Sequence, residues 1–147
     1  MQRSRETWRA VFALAVLLVA CATGCTGDQE VPTADVVARM EDFKIELSAE
    51  EVASGDVVIG MRNDGPTAHE LVVARTDRDS DELPLGEDGL SVAEEAPRFR
   101  VIGEDESVLL DEEDVLALQL EPGHYVLFCN FQGHYLGGMH ADLEVTA

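Results

Sequence analysis

Short runs rich in apolar residues, several of them alternating with polar residues, recur from residue 36 to the end of the chain. They fall at residues 36–40, 43–47, 57–62, 69–75, 115–120, 124–128 and 139–145. Turn sequences separate several of them, such as Asn-Asp-Gly-Pro at 63–66 and Glu-Pro-Gly at 121–123. Alternation with a period of two is typical of half-buried strands, and several short strands separated by turns predict an all-β sandwich or barrel.

Residues 76–106 interrupt this pattern. They are rich in Asp, Glu, Pro and Gly and show weak periodicity, so we predict a long acidic insertion with at most a short helical turn or edge strand. A loop of this length in a compact domain is usually functional or partly disordered. The predicted folded domain therefore spans residues 36–147 and contains this insertion.

The start of the chain has the pattern of an export signal. Three arginines lie within residues 1–9, and an apolar run follows at 10–20. This run is shorter than the ~20 residues that span a bilayer, which is typical of a signal-peptide core. We therefore predict a signal peptide at residues 1–20, followed by a small, polar, flexible tether at 21–35.

The residues that end the apolar run, Leu-Val-Ala-Cys at 18–21, resemble a bacterial lipobox, in which the cysteine is lipidated. Lipidation at Cys21 would anchor the exported protein to the outer face of the cell membrane. Cys25 is a poorer second site, because Ala stands where a lipobox has Leu. Cleavage of a simple secretory signal is the alternative.

The chain is strongly acidic, with a formal net charge of −20. Cleavage before Cys21 would remove three arginines and one glutamate and leave −22. Such a surface repels nucleic acid and anionic lipid head groups, and it attracts basic partners. The alternative is that the acidity only confers solubility.

Cys129 is the one cysteine of the predicted folded domain, so we expect no disulfide framework there. An exported thiol needs a reason to stay unoxidised, and metal ligation supplies one. The alternative is an inert buried cysteine. His134 and Met139 follow it, separated by intervals of four residues, with glycines nearby that let a single loop turn tightly.

With His69 from a neighbouring strand, these residues offer one thiolate, two imidazoles and one thioether. Mg²⁺ and Ca²⁺ prefer oxygen ligands, and zinc usually takes more cysteine or a carboxylate. Two histidines and a cysteine with a long, weak axial methionine form the coordination of electron-transfer copper. The sequence thus predicts one copper ion held by His69, Cys129, His134 and Met139.

The other histidines are weaker ligand candidates. His124 follows a Pro-Gly turn and is expected at the surface, and His140 would point to the strand face opposite Met139. Other methionine and aromatic side chains are expected in or near the core: Met40, Met61, Phe43, Tyr125 and Phe128.

The ligand segments resemble those of cupredoxins. Residues 63–69, ending in His69, resemble the segment before the first cupredoxin ligand, and residues 122–139 resemble the C-terminal ligand loop. The loop spacing is more similar to sulfocyanin and rusticyanin than to plastocyanin. The resemblance covers roughly residues 36–147 apart from the insertion, and it implies a Greek-key β-sandwich that binds one copper.

The same resemblance implies how electrons would pass. In cupredoxins the C-terminal histidine usually lies near the surface, so His134 would pass the electron, with Leu136, Gly137 and Gly138 as an apolar docking rim. One residue departs from the family pattern. Many cupredoxins have Asn, Ser or Thr after the first ligand, where this chain has Glu70.

The expected function is therefore that of a membrane-tethered blue-copper protein that carries single electrons. Its partner would present a basic surface, for instance a cytochrome or an oxidase domain. A copper-binding or delivery module without redox traffic is the alternative. An enzyme is not expected, because nitrite reductases and multicopper oxidases need further histidines, and two-copper centres need a second loop cysteine.

Overall fold

Two β-sheets make up the fold of the computed structural model, which describes residues 33–147. The elements, in chain order, are β1 (Val36–Glu41), β2 (Lys44–Leu47), β3 (Glu51–Ala53), β4 (Gly55–Asn63), β5 (His69–Thr76), β6 (Phe99–Val108), β7 (Glu113–Leu120), β8 (Gly123–Phe128), α1 (His134–Gly137) and β9 (His140–Thr146). The predicted signal peptide, Cys21, Cys25 and most of the predicted tether lie outside the described residues. Within residues 33–147, no helix is long and apolar enough to cross a membrane.

Both sheets mix parallel and antiparallel pairs. One sheet has the order β2-β1-β4-β7, and the other has the order β3-β9-β8-β5-β6. The pairs β1–β4 and β3–β9 are parallel, and the remaining neighbours are antiparallel. The predicted all-β sandwich is confirmed.

The main core lies between the two sheets and is built from alternate residues of their strands. In β4, Val57, Ile59 and Met61 are buried, while the residues between Val57 and Ile59 and between Met61 and Asn63 are partly exposed. Strands β8 and β9 contribute alternate apolar residues from the other sheet, including Leu127 and Leu143. Met40 and Met61 are 0% and 2% exposed, which confirms their predicted place in the core.

A second apolar cluster covers the outer face of the five-stranded sheet. Residues 71–74 of β5 are all fully buried, although alternate side chains of a strand point to opposite faces. Leu83 and Val92, from the acidic segment, pack in the same cluster as Val72 and Phe128 of the sheet. The acidic segment is therefore attached to the sheet by apolar side chains, and central strands β5 and β8 are covered on both faces.

The irregular part of the insertion is shorter than predicted, because its last residues belong to the ten-residue strand β6. This strand pairs with β5 alone and forms an edge of the sheet. Glu104 and Glu106 are both exposed in it. The solvent-facing carboxylates of an edge strand hide the strand signal, so the prediction of at most a short edge strand was wrong.

The prediction for Phe43 was also wrong. Its side chain is 54% exposed rather than in or near the core. The residue lies in the two-residue turn between β1 and β2, where Glu41 pairs with Lys44. Its φ of 64° lies in the left-handed region, so the path of the turn rather than burial determines the position of this side chain.

Candidate metal centre

The candidate ligands meet at one end of the sandwich. His69 begins β5, and Cys129 directly follows β8. These strands are antiparallel neighbours in which Val72 pairs with Phe128, so the start of β5 lies beside the end of β8. His134 and Met139 lie in the loop that joins β8 to β9, which contains the single turn of α1.

Three of the four predicted ligands point their donor atoms at one another. The Nδ1 atoms of His69 and His134 are 3.3 Å apart, and the Sγ of Cys129 is 3.5 Å from the Nδ1 of His134. One donor atom from each residue lies within 4.8 Å of the others. Two imidazole nitrogens and a sulfur so close together form a small, mixed nitrogen and sulfur cage.

Met139 lies beside this cage. Its side chain is fully buried and belongs to the same core cluster as Cys129. Two backbone hydrogen bonds hold it in the loop: its carbonyl accepts from the Cys129 N–H at 3.1 Å, and its N–H donates to the His134 carbonyl at 3.1 Å. The methionine is thus tied by its backbone to two of the other candidate ligands.

Glycines make the tight path of this loop possible. Gly133 and Gly138 flank α1 with φ values of 81° and 115°, in the left-handed region that favours glycine. At Gly137 a Cβ atom would overlap the ring of Phe43. Larger residues at these positions would therefore displace the turn that carries His134.

Solvent reaches the candidate ligands unequally. His69, Cys129 and Met139 have 0% exposure, whereas His134 is partly exposed. The ring of His134 makes edge-to-face contacts with the aromatic rings of Phe43 and Phe131, at centroid distances of 5.8 Å and 5.7 Å. One edge of a single imidazole is therefore the accessible part of the cluster.

The predicted rim occupies the surface around this imidazole. Leu136 is 52% exposed, Gly137 is exposed, and Gly138 is partly exposed. Phe43 adds an exposed aromatic ring that contacts this surface from the β1–β2 turn. The sequence reasoning missed this residue, because its turn is remote in the chain from the ligand loop.

The environment of Cys129 resists ionisation of the thiol in the absence of a metal. Burial raises the pKa of the Cys129 thiol above its ordinary value, and the N–H groups of Glu70 and Phe131 offset part of this effect. The Glu70 N–H donates a hydrogen bond to the Cys129 Sγ, with 3.4 Å between nitrogen and sulfur. A bound cation would supply the charge that favours the thiolate.

Glu70, the departure from the family pattern, is partly buried beside the centre. Burial, together with the charges of Glu94 and Glu104, raises the pKa of its carboxyl to about 7. Its backbone N–H links the first ligand segment to Cys129. The main chain therefore makes a connection between these segments that does not depend on the side chain at this position.

The acidic segment holds the ligand loop from outside. The side-chain amide of Asn130 accepts a hydrogen bond from the Val92 N–H at 2.6 Å and donates to the Glu94 carboxylate at 2.6 Å. The hydroxyl of Tyr135 accepts a hydrogen bond from the Leu83 N–H at 2.8 Å. The neighbours of two candidate ligands are thus fastened by the insertion, a role with no signature in the sequence.

The remaining histidines have other partners. The Nε2 of His124 lies 2.9 Å from a carboxylate oxygen of Asp142, and the Nδ1 of His140 lies 3.0 Å from the hydroxyl of Ser80. Neither belongs to the cluster formed by the candidate ligands. Both were expected to lie away from it.

Solved structures with a similar fold include several cupredoxins. A reduced auracyanin from the photosynthetic bacterium Roseiflexus castenholzii superposes with a TM-score of 0.55 at 17% identity, covering 76% of this chain and 95% of that one. Rusticyanin from Thiobacillus ferrooxidans gives 0.52 at 15% identity, covering 76% and 75%. An azurin from Methylomonas sp. strain J gives 0.51 at 16%, covering 79% and 100%.

Comparisons of the sequence with protein-family models and with curated proteins give no match. At these identities the structural likeness establishes the fold. The chain has the cupredoxin fold, as its resemblance in sequence implied.

Proposed function

We propose that this chain is a mononuclear blue-copper protein that carries single electrons. The observation that carries the proposal is the cluster of His69, Cys129 and His134, whose donor atoms lie within 4.8 Å of one another next to the buried Met139. Among structures of similar fold, auracyanin A of Chloroflexus aurantiacus is described as a "blue" copper protein and rusticyanin as a copper protein.

The donor set fits copper better than other common ions. A cysteine sulfur and two imidazole nitrogens converge, and among the described residues no carboxylate belongs to this cluster. Hard cations such as Mg²⁺ and Ca²⁺ need oxygen ligands, whereas thiolate and thioether ligands suit Cu(I), and the combination of two imidazoles, a thiolate and a weak thioether is that of electron-transfer copper. The fully buried Met139 supports a thioether as the fourth ligand, in place of a second cysteine or a carboxylate.

Copper in such a site supplies a one-electron couple between Cu(I) and Cu(II). The chain contributes ligands that are already in place, since hydrogen bonds join Cys129 to Met139 and Met139 to His134 through the backbone. Ligands held in this way need little rearrangement when the charge of the ion changes. The accessible edge of His134 and the apolar rim around it supply a short route for an electron to a docked partner.

The burial of the ligands favours a carrier over a delivery module. Three of the four candidate ligands are 0% exposed, so a competing chelator can approach only along His134. The described residues also contain no second cluster of metal-binding side chains. A single site of this kind supports electron transfer rather than catalysis on a substrate.

The export and partner expectations complete the proposal. The apolar run and the cysteine that ends it support a protein carried across the membrane and anchored by lipid at Cys21, or at Cys25. The net charge of −22 for the mature chain supports a redox partner with a basic surface. Electron-transfer rates to such a partner should fall as ionic strength rises, whereas a flat profile would favour docking through the apolar rim alone.

The test is reversible cycling with retention of the metal. The mature protein is loaded with one equivalent of copper, reduced, reoxidised, and then exposed to an excess of a copper chelator. The proposal predicts repeated one-electron cycles with copper retained throughout. Loss of copper to the chelator within minutes would support delivery instead, and failure to cycle would refute the carrier.

A further inference from the structure

We propose that Asp42 is a positioning residue for His69. Its carboxylate would accept a hydrogen bond from the Nε2–H of His69 and so keep the Nδ1 of that ring directed at Cys129 and His134. This inference rests on the proposed function, because the role of Asp42 is to hold the first copper ligand in the correct orientation and tautomer.

The first observation concerns the far side of the His69 ring. The Nδ1 atom faces the cluster, 3.3 Å from the Nδ1 of His134. The Nε2 atom is fully buried and, within residues 33–147, makes no well-aligned hydrogen bond. A buried N–H without a hydrogen-bond partner destabilises the fold, so we expect an acceptor close to this atom.

Asp42 supplies that acceptor. Its Oδ1 atom lies 3.3 Å from the Nε2 of His69, a distance suited to a weak hydrogen bond but with poor alignment. The distance is within hydrogen-bond range, so what is missing is alignment of the N–H with the oxygen. A metal on Nδ1 requires the proton to be on Nε2, which makes Nε2 the donor in the loaded protein.

The position of Asp42 is set by its own contacts. The residue lies in the tight turn between β1 and β2, and its Oδ1 accepts a hydrogen bond from the hydroxyl of Thr67 at 2.7 Å. Thr67 precedes His69 by two residues. The backbone of this turn also packs on Gly65, where a Cβ would lie 3.0 Å from the Asp42 nitrogen. Glycine at 65 therefore permits the close approach of the turn to the ligand segment.

A carboxylate in this place has two chemical effects. Metal-binding histidines commonly donate their second N–H to an acceptor, which fixes the tautomer and makes the ring a better ligand. A carboxylate differs from a neutral acceptor because its charge also favours the more positive, oxidised ion. The same turn carries Phe43, whose ring contacts His134, so one hairpin tip contacts both histidine ligands.

The first experiment needs no copper. Long-range ¹H–¹⁵N NMR spectra of the metal-free mature protein report the tautomer of each histidine, at about pH 8 where imidazoles are neutral. We expect the Nε2–H tautomer for His69 in the wild type and in Asp42→Asn, which keeps an acceptor oxygen. Asp42→Ala should give a mixture of tautomers. The control is Glu41→Ala, an exposed carboxylate one residue earlier, which should leave the tautomer unchanged.

The second experiment measures copper. Asp42→Ala should weaken copper affinity about 10- to 100-fold, the usual cost of losing such a partner. Asp42→Asn should retain more of the affinity but bind Cu(II) less well relative to Cu(I), because the charge is gone. Near-native circular dichroism of both variants separates these effects from misfolding.

The two proposals fail in different ways. An unchanged His69 tautomer and unchanged copper affinity in Asp42→Ala would overturn the role of Asp42, even if the wild type is blue. A wild type that binds no copper would overturn the proposed function, while a tautomer that still depends on Asp42 would uphold the hydrogen bond.

Discussion

Asn63 offers a direct test of how the first ligand segment is built. This fully buried side chain ends β4 and makes three hydrogen bonds. Its amide nitrogen donates to the carbonyls of Thr67 at 2.7 Å and Val108 at 2.9 Å, and its carbonyl accepts from the Gly65 N–H at 2.9 Å. It therefore closes the turn that leads to His69 and ties that turn to the end of β6.

Asn63→Ala should lower the free energy of unfolding of the metal-free protein by about 3–4 kcal/mol. Thr67 is exposed, so water can replace its lost bond. Val108 and Gly65 are buried, and each would keep an unsatisfied polar group at a cost of about 1–3 kcal/mol. The predicted loss is a large part of the roughly 5–15 kcal/mol that stabilises a typical domain.

Equilibrium unfolding in urea, followed by circular dichroism, measures this loss. The urea concentration at the unfolding midpoint should fall, while the slope of the unfolding free energy against urea concentration stays constant. Asp64→Asn is the matched control, because Asp64 is the next residue, is exposed, and makes surface ion pairs with Arg39 and Arg62. It should be far less destabilising than Asn63→Ala. A loss below about 1 kcal/mol for Asn63→Ala would refute the three-bond description of the turn.

Three further predictions concern other parts of the chain. Leu83→Ala removes a buried side chain that attaches the acidic segment to the sheet, and it should lower the free energy of unfolding in urea by about 2–4 kcal/mol. Leu85→Ala, at a 42% exposed position, should lower it much less, and equal effects would mean that the segment does not pack on the sheet. Met139→Leu should keep copper and raise the reduction potential measured by voltammetry, since the axial thioether is a weak ligand, and loss of copper would contradict its axial role. Mass spectrometry of the protein from membranes should show a lipidated N-terminus at Cys21, and an unmodified soluble form starting elsewhere would refute the anchor while leaving the metal centre untouched.

Much of the fold could be predicted because its signals are local. Residues 57–62 and 69–75 are short, mostly apolar runs next to turn signals, which are typical of buried strands, and these runs became β4 and β5. The ligand loop could also be predicted, since Cys129, His134 and Met139 lie within eleven residues whose types and intervals suit one metal ion. His69 could be added to the predicted ligands, because the turn signal before it and the strand pattern after it place it at the start of a strand.

The features that could not be predicted depend on contacts between distant segments. Strand β6 carries exposed carboxylates on an edge, so its sequence has the composition of a loop. Phe43 is apolar yet exposed, because its turn geometry decides its position. Asp42 is separated from His69 by 27 positions, and nothing in its local sequence distinguishes it from the many other acidic residues of the chain. Only the packing of the β1–β2 turn on the ligand segment brings the two together.

The most direct test of a blue-copper centre is the visible spectrum of the purified protein after addition of one equivalent of Cu(II). The wild type should turn blue, with an intense band at about 600 nm that arises from the bond between copper and the Cys129 thiolate. Cys129→Ser should lack this band, because serine cannot supply the sulfur. A wild type without the band, or a Cys129→Ser variant that keeps it, would contradict the copper site.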